Sequence, residues 1–487
     1  SGGSAISGAI SGLINFQPAF NHLPNEYVIA SATAGIQEAI NILPPNGGRV
    51  NVNAGQNVIH GPIIVLNNGV EIKGTRGTLI TSNPDTLHES MVRFGIEGGS
   101  GTYNSISNVR LQSSLFNEAQ YLLDLTQQSN FIARDVTISG SNKGLRIQEG
   151  SFNVLLDNID IYQVGSGFAG IYIDDGYAIA MDHIHVYNDD NTRGYGLHIA
   201  KGERIRISNS QFIVCKNAIV LECKASSTIE DILFENCIIA ESGQTGIVLL
   251  SDFLDSKIIS IHLNNSIVTN NGWHGIGLWT NDQGYINCVN ITNCGIKKNN
   301  QNGIYLNGRT KQNYINVSNN HIIDNAQAST AYFGILATSN SGYLNITNNI
   351  ISCVNNRATD PFNPVPPTRS YDAGIKIETT EGKYLTVFGN LIDGFPWNFN
   401  KLSIVNQSTQ LTPTTQFPVT QSFFGNSEQA NNRVNSNFTI TGTGTILNLE
   451  TSDAMFYELM PSGPEEIITI TGGFPGRIVV IQNTASL

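Results

Sequence analysis

The chain has 487 residues, with 26 Lys and Arg against 38 Asp and Glu and a formal net charge of −12. Charged residues make up only 13% while glycines number 48, a balance that suits turn-rich β structure better than a helical enzyme. The acidic balance argues against nucleic acid as a partner, and no apolar run approaches the roughly 18 residues that span a bilayer, so membrane insertion is not expected.

The opening SGGS reads as an expression scar and residues 1–24 as a lead-in, so the lack of a leader peptide there carries no information about export. The stretch TAGIQEAINILPPNGG then places Ile36, Ile40 and Leu43 on one helical stripe and stops at Pro44 and Pro45. A short helix over 36–43 is predicted. Strand-like RVNVNAG, PIIVL and GVEIKG follow.

From there two signatures alternate with a period of roughly 27 residues. One is Gly-apolar-x-apolar: GLRI at 144, GIYI at 170, GLHI at 196, GIVL at 246, GIGL at 275, GIYL at 303 and GIKI at 374. The other is an apolar strand that ends in a small polar residue, often Asn, as in FENCII, LNNSIV, VSNNHII and ITNNII. A repeat of this length, built of short strands and turns, cannot bury its apolar face within one turn and must stack. The fold class predicted is all-β: a right-handed parallel β-helix over residues 25–400, of about eleven turns, with the 36–43 helix plugging its exposed edge. Asn236, Asn265, Asn320 and Asn349 are expected to form an inward amide ladder.

After residue 400 the period fails. Residues 401–435 read as a Gln-, Thr- and Ser-rich linker, and 436–487 as a small β module that ends just after a strand and is expected to be cut short. The six cysteines form no CxxC pair, so no zinc site is expected and they read as buried free thiols. Asn264, Asn290, Asn316, Asn345, Asn406 and Asn437 match the glycosylation pattern, several of them as expected by chance in so Asn-rich a chain.

In Gly-Ile-x-Ile the two apolar residues point inward, so the third residue and the one after the motif point outward. That places Arg146, Tyr172, Asp174, His198 and Glu222 on one face over four turns, with Trp279 and Tyr305 further along it. Asp174 and Glu222, two turns apart, suit the acid and base of a glycosidase, with Asp175 holding water and His198 between them. Arg146, Tyr172, Trp279 and Tyr305 are the expected substrate contacts, since flat aromatic rings stack on sugars. Trp273, His274 and Asp282 lie near, and the Pro-rich loop at 360–371 is placed to wall the groove. No Asp cluster with calcium-binding spacing is evident, and neither metal nor cofactor is implied.

The entry segment of helix, Gly-Gly, strand, NAGQNV and strand resembles the pectate-lyase-like superfamily of viral tailspikes and bacterial polysaccharide-degrading enzymes. In that family Pro-Ala-Gly stands where NAGQNV stands here. IDDG followed by GLHI is also similar to the Asp-Asp and His coils of polygalacturonases, but their Arg-Ile-Lys motif is absent, because RIRI at 204 comes too early. The resemblance implies an extracellular or surface location, a polysaccharide as partner and a homotrimer, with the C-terminal module serving trimerisation or carbohydrate binding. Three functions stay open: a glycoside hydrolase, a polysaccharide lyase that uses Tyr172 or His198 with Arg146, and a non-catalytic spike or adhesin.

Overall fold

The computed structural model describes residues 32–82, 88–95, 101–113, 121–140, 143–281, 283–308, 312–325, 332–338, 343–352, 374–377, 384–388 and 390–393, together with short strands between 402 and 483. The chain divides into two compact units, Ser1–Val220 and Leu221–Leu487.

In the first unit the helix covers Ile36–Asn41, two residues shorter than the apolar stripe suggests, and buries Ile36, Ala39 and Ile40. Its chain enters through Gly35 at φ 79°, a left-handed conformation that glycine adopts without a Cβ penalty. The strands that follow pair in parallel with the strand one coil on. On one sheet Leu123, Leu145, Ile171 and Leu197 stack in register and are fully buried. On the other, Val136, Ile159 and Ile184 do the same. The repeated Gly-Ile-x-Ile motif is thus the sequence form of two aliphatic columns. Each column removes its side chains from water only because the next coil covers it.

The second unit keeps this scheme. Ile247, Ile276, Ile304, Ile335 and Ile375 form one column, and Ile239, Val268, Ile296, Ile322 and Ile351 another. Beyond them, Leu402–Val405, Phe438–Thr441, Phe456–Met460 and Val480–Asn483 also pair in parallel.

Corners are made by residues in the left-handed region, five apart and three to a coil: Asp231, Asn236 and Glu241; Ser260, Asn265 and Asn270; Cys288, Asn293 and Lys298; Tyr314, Asn319 and Asp324. Asn tolerates this conformation best among residues with a side chain, which accounts for its abundance. This corrects two expected ladder positions. Asn236 and Asn265 are corner residues at φ 54° and 52°, and the inward position falls one residue later, on Cys237 and Ser266.

The ladder itself is present from Cys294 onward. The Cys294 N–H donates to Asn320 Oδ1, and the Asn320 N–H and Nδ2 both donate to Asn349 Oδ1 at 2.9 and 3.0 Å. Asn349 repeats the pattern on Asn390. A second ladder, Asn271, Asn299 and Asn325, runs along another corner. Asn316 and Asn345, from the glycosylation-like pattern, are half-buried, and Asn345 Nδ2 donates a 2.6 Å hydrogen bond to Asn316 Oδ1. Stacking explains why Asn-x-Ser/Thr recurs there.

Cys215, Cys223, Cys237, Cys288 and Cys294 are free thiols, and all but Cys288 are buried. Burial pushes Cys215 up to about 12 and Cys294 up to about 11, so neither supplies a thiolate at neutral pH. Cys353, Asp282 and the 360–371 loop lie outside the described residues.

The two kinds of Asn respond differently to substitution. Asn349→Ala strips the Asn320 N–H and amide of their buried acceptor and should cost about 1–3 kcal/mol. Asn265→Gly keeps a residue suited to its φ and should leave stability nearly unchanged. Chemical denaturation of both variants checks this; an equal loss would refute the ladder.

Candidate functional site

In the first unit the outer face of the Gly-Ile-x-Ile sheet is built on one register: Arg93 and Arg146 both pair with Asp124, Arg146 with Tyr172, and Tyr172 with His198. Arg146, Tyr172 and His198 therefore stack as the alternation predicts. Asp124 was not foreseen. It is fully buried and takes two bonds from Arg146, at 3.0 and 2.6 Å, one from the Ser90 hydroxyl at 2.7 Å, and an ion pair from Arg93 at 3.6 Å. Arg146 also reaches Glu89 at 2.7 Å and lies over the Tyr121 ring at 4.4 Å. Burial disfavours its cation, but the Asp124 and Glu89 carboxylates more than offset this and hold it charged.

Asp174 and Asp175 follow strand Ala169–Ile173 on a bend. The Tyr172 hydroxyl donates to Asp174 at 3.2 Å, and Lys201 Nζ pairs with Asp175 at 2.9 Å. The acidic pair is thus tolerated because each carboxylate has its own polar neighbour. His198 stands between the rings of Tyr172, at 5.2 Å, and Tyr195, at 5.5 Å. Lys216 Nζ lies 5.9 Å from the Tyr195 ring.

In the second unit Glu222 ends strand Asn217–Glu222 and is half-buried. The Cys223 N–H donates to the Leu250 carbonyl, which sets Glu222 alongside Leu250; Leu250 pairs with Trp279, and Trp279 with Asn307. Two residues past Leu250 comes Asp252, a second carboxylate that the sequence reading passed over. Its pKa is raised, first by burial and further by the charge of Glu222. The available signal was LLSD, an Asp at the next outward position one coil after Glu222. Beyond Asp252 the chain exposes Phe253 and Leu254.

Trp279 and Tyr305 come together as foreseen, with ring centroids 5.9 Å apart and planes at 79°. A Cβ built on Gly277 would fall within 1.9–2.8 Å of the Trp279 six-membered ring. The indole therefore lies back over a residue with no side chain. His274 joins the same cluster, 4.6 Å from the Tyr305 ring and 5.9 Å from Trp279.

Among the described residues one group, Asp157, Asp182 and His183, has ligand atoms within 4.8 Å of one another. Arg134 already occupies Asp157, and Ser208 and Asn209 donate to Asp182, so these carboxylates are engaged by protein donors. Asp124→Ala would leave the largely buried Arg146 cation without its main partner. It should destabilise by about 3–5 kcal/mol, measurable in urea, while Asp175→Ala on the exposed pair should cost about 1 kcal/mol or less.

Residues 121–287 match the family model described as right handed beta helix region. No curated protein matches the sequence. Among solved structures, PfbA, a surface adhesin of Streptococcus pneumoniae, is 13% identical with a TM-score of 0.49, covering 66% of this chain and 87% of its own. The tailspike protein of E. coli bacteriophage HK620, as a double mutant, is 11% identical with a TM-score of 0.47, covering 93% and 76%. The Dettilon tailspike protein is 13% identical with a TM-score of 0.44, covering 79% and 71%. These likenesses carry no argument about activity. The match over residues 121–287, with the parallel registers and aliphatic columns it falls on, gives the chain a right-handed parallel β-helix fold.

Proposed function

We propose that the chain acts on an extended polysaccharide outside the cell or at its surface, as a glycoside hydrolase. The observation that carries this reading is that Asp252, one coil after Glu222, feels the Glu222 charge and directly follows the strand that pairs with the Trp279 strand, where Trp279 and Tyr305 cluster. Glu222 ends its strand and Asp252 lies one residue past the end of the strand one coil on, within electrostatic reach of each other. An acid and a base that admit a water between them are held about 6.5–9.5 Å apart at their carboxyls. Asp252, whose proton is held more tightly by burial and by Glu222, is the general acid. Glu222 is then the base that activates water, and the aromatic rings hold the sugar chain.

In the first unit Tyr172, His198, Asp174 and Asp175 are proposed as sugar contacts. Their carboxylates already have hydrogen-bonding neighbours, which suits binding better than proton transfer. Arg146, whose charge faces Asp124 and Glu89, supports that surface from beneath. A lyase needs an uncommitted cation to neutralise a uronate, and Arg146 does not offer one. The non-catalytic spike or adhesin remains the second reading, favoured by these same engaged carboxylates. A homotrimer is part of the proposal.

A polysaccharide panel read by reducing ends, product mass and the ultraviolet absorbance of unsaturated products separates the three functions. On a cleaved substrate, Asp252→Asn and Glu222→Gln should each lower kcat at least about 10²-fold with the fold intact. Asp174→Asn should weaken polysaccharide binding to the first unit, read by direct titration. The acid must be protonated, so activity should fall as pH rises through the raised Asp252 pKa, and that alkaline limb should vanish in Asp252→Asn. Full activity in both carboxylate variants would move the chemistry off this face; binding without cleavage would favour the spike.

A further inference from the structure

His274 is an unusual residue to find in the turn before a Gly-Ile-x-Ile strand. Only 7% of it is exposed, and its neighbours are rings: Tyr305 at 4.6 Å and 34°, Trp279 at 5.9 Å, and Tyr332 at 6.5 Å. Its Nδ1 accepts from the Asn302 backbone N–H at 3.2 Å and lies 3.3 Å from the Asn302 amide nitrogen. Accepting at Nδ1 fixes the neutral tautomer, with the proton on Nε2. Asn302 is anchored in turn: its side-chain oxygen accepts from the Phe333 N–H at 2.6 Å, and its carbonyl accepts from the Gly275 N–H at 3.0 Å. The imidazole is thus held in plane by three consecutive coils of the second unit.

Gly277 supplies the other half of the arrangement. It stands two residues before Trp279 on the same outer side of the strand, and the indole occupies the volume a side chain there would need. One indole face therefore lies against backbone, and an edge meets the Tyr305–His274 stack. A flat, half-buried indole backed in this way can meet the apolar face of a pyranose without losing rotamer freedom on binding.

From this geometry we infer that His274 and Gly277 are positioning residues that lay the Trp279 indole flat and, with Tyr305, preset a rigid stacking subsite for one sugar ring. The inference rests on reading this face as a polysaccharide surface. Their contacts are with rings and with Asn302, so they act on how the chain is held and not on proton transfer.

The arrangement has a pH signature. Burial lowers the His274 pKa to about 4, and the titratable groups facing its ring are the phenols of Tyr305 and Tyr332. An unfolded histidine takes its proton near pH 6.5. The folded state thus binds fewer protons between that value and about 4, and this contribution to stability is complete above the window and lost as pH falls through it. Protonation also places a cation against the indole and weakens acceptance from Asn302.

The test begins without any sugar. In a Trp273→Phe, Trp397→Phe background Trp279 is the single remaining indole of three. Its fluorescence should be quenched on acid titration with a midpoint near 4 while circular dichroism shows the fold intact, and His274→Gln should abolish the transition. Gly277→Ala should shift emission to longer wavelength as the ring is lifted from the backbone. Cellohexaose and a hexameric galacturonate then serve as probes of binding. For whichever binds, Gly277→Ala and His274→Gln should weaken affinity roughly tenfold, the worth of one stacked ring, and on a cleaved chain should raise KM with kcat nearly constant. An acid transition that persists in His274→Gln, or wild-type emission and affinity in Gly277→Ala, overturns the inference. Absence of binding to either sugar counts against the polysaccharide reading alone, and the fluorescence arm still decides whether the two residues set the indole.

Discussion

The constraint on which the rest depends is that each coil is hydrogen-bonded to the coil before and the coil after it, in parallel and in register. A residue's neighbours are then its own counterparts one repeat away. Leu123, Leu145, Ile171 and Leu197 stack on one another along the column and are fully buried. Stability in such a structure is a sum of nearest-neighbour terms. Whatever breaks register at one coil is felt by two others, while distant coils are indifferent.

Two devices keep the register. Left-handed corners break each coil into segments of fixed length, and inward amides fasten corner to corner. The devices are adjacent in sequence, and that adjacency blurred them to the eye. In LNNSIV and FENCII the Asn is the conspicuous residue, but it serves the corner, and the small Ser266 or Cys237 beside it takes the inward place. In VSNNHII Asn319 serves the corner and Asn320 takes the inward place. Only the φ angles separate the roles, and identity alone does not encode φ.

The same logic divides what was legible of the candidate site. The ladder Arg146–Tyr172–His198 and the sequence Glu222–Leu250–Trp279 follow from side-chain alternation and needed no structure. Asp124 and Asp252 did not follow. Asp124 lies in YLLDLT, where every residue is buried, so hydropathy alternation gives no cue to its outward aim. Its burial is tolerated because two arginines on the flanking coils converge on it, a coincidence visible only once coils are aligned. Asp252 falls just past the strand end, outside the two positions that the motif defines. Gly277 was visible only as a missing side chain at an outward place, and its meaning came from the ring that fills the gap.

Because every coil presents its upper neighbour with the same set of partners as its lower one, the chain carries a simple route to growth. A duplicated coil, copied from one corner to the equivalent corner of the next, would arrive with its Asn ready both to donate and to accept. It would extend each aliphatic column by one rung. Lengthening by whole repeats disturbs nothing already built, whereas the loss or gain of one residue within a strand turns every following side chain inside out. A fold of this kind changes length in quanta, and its outer face is free to vary one rung at a time.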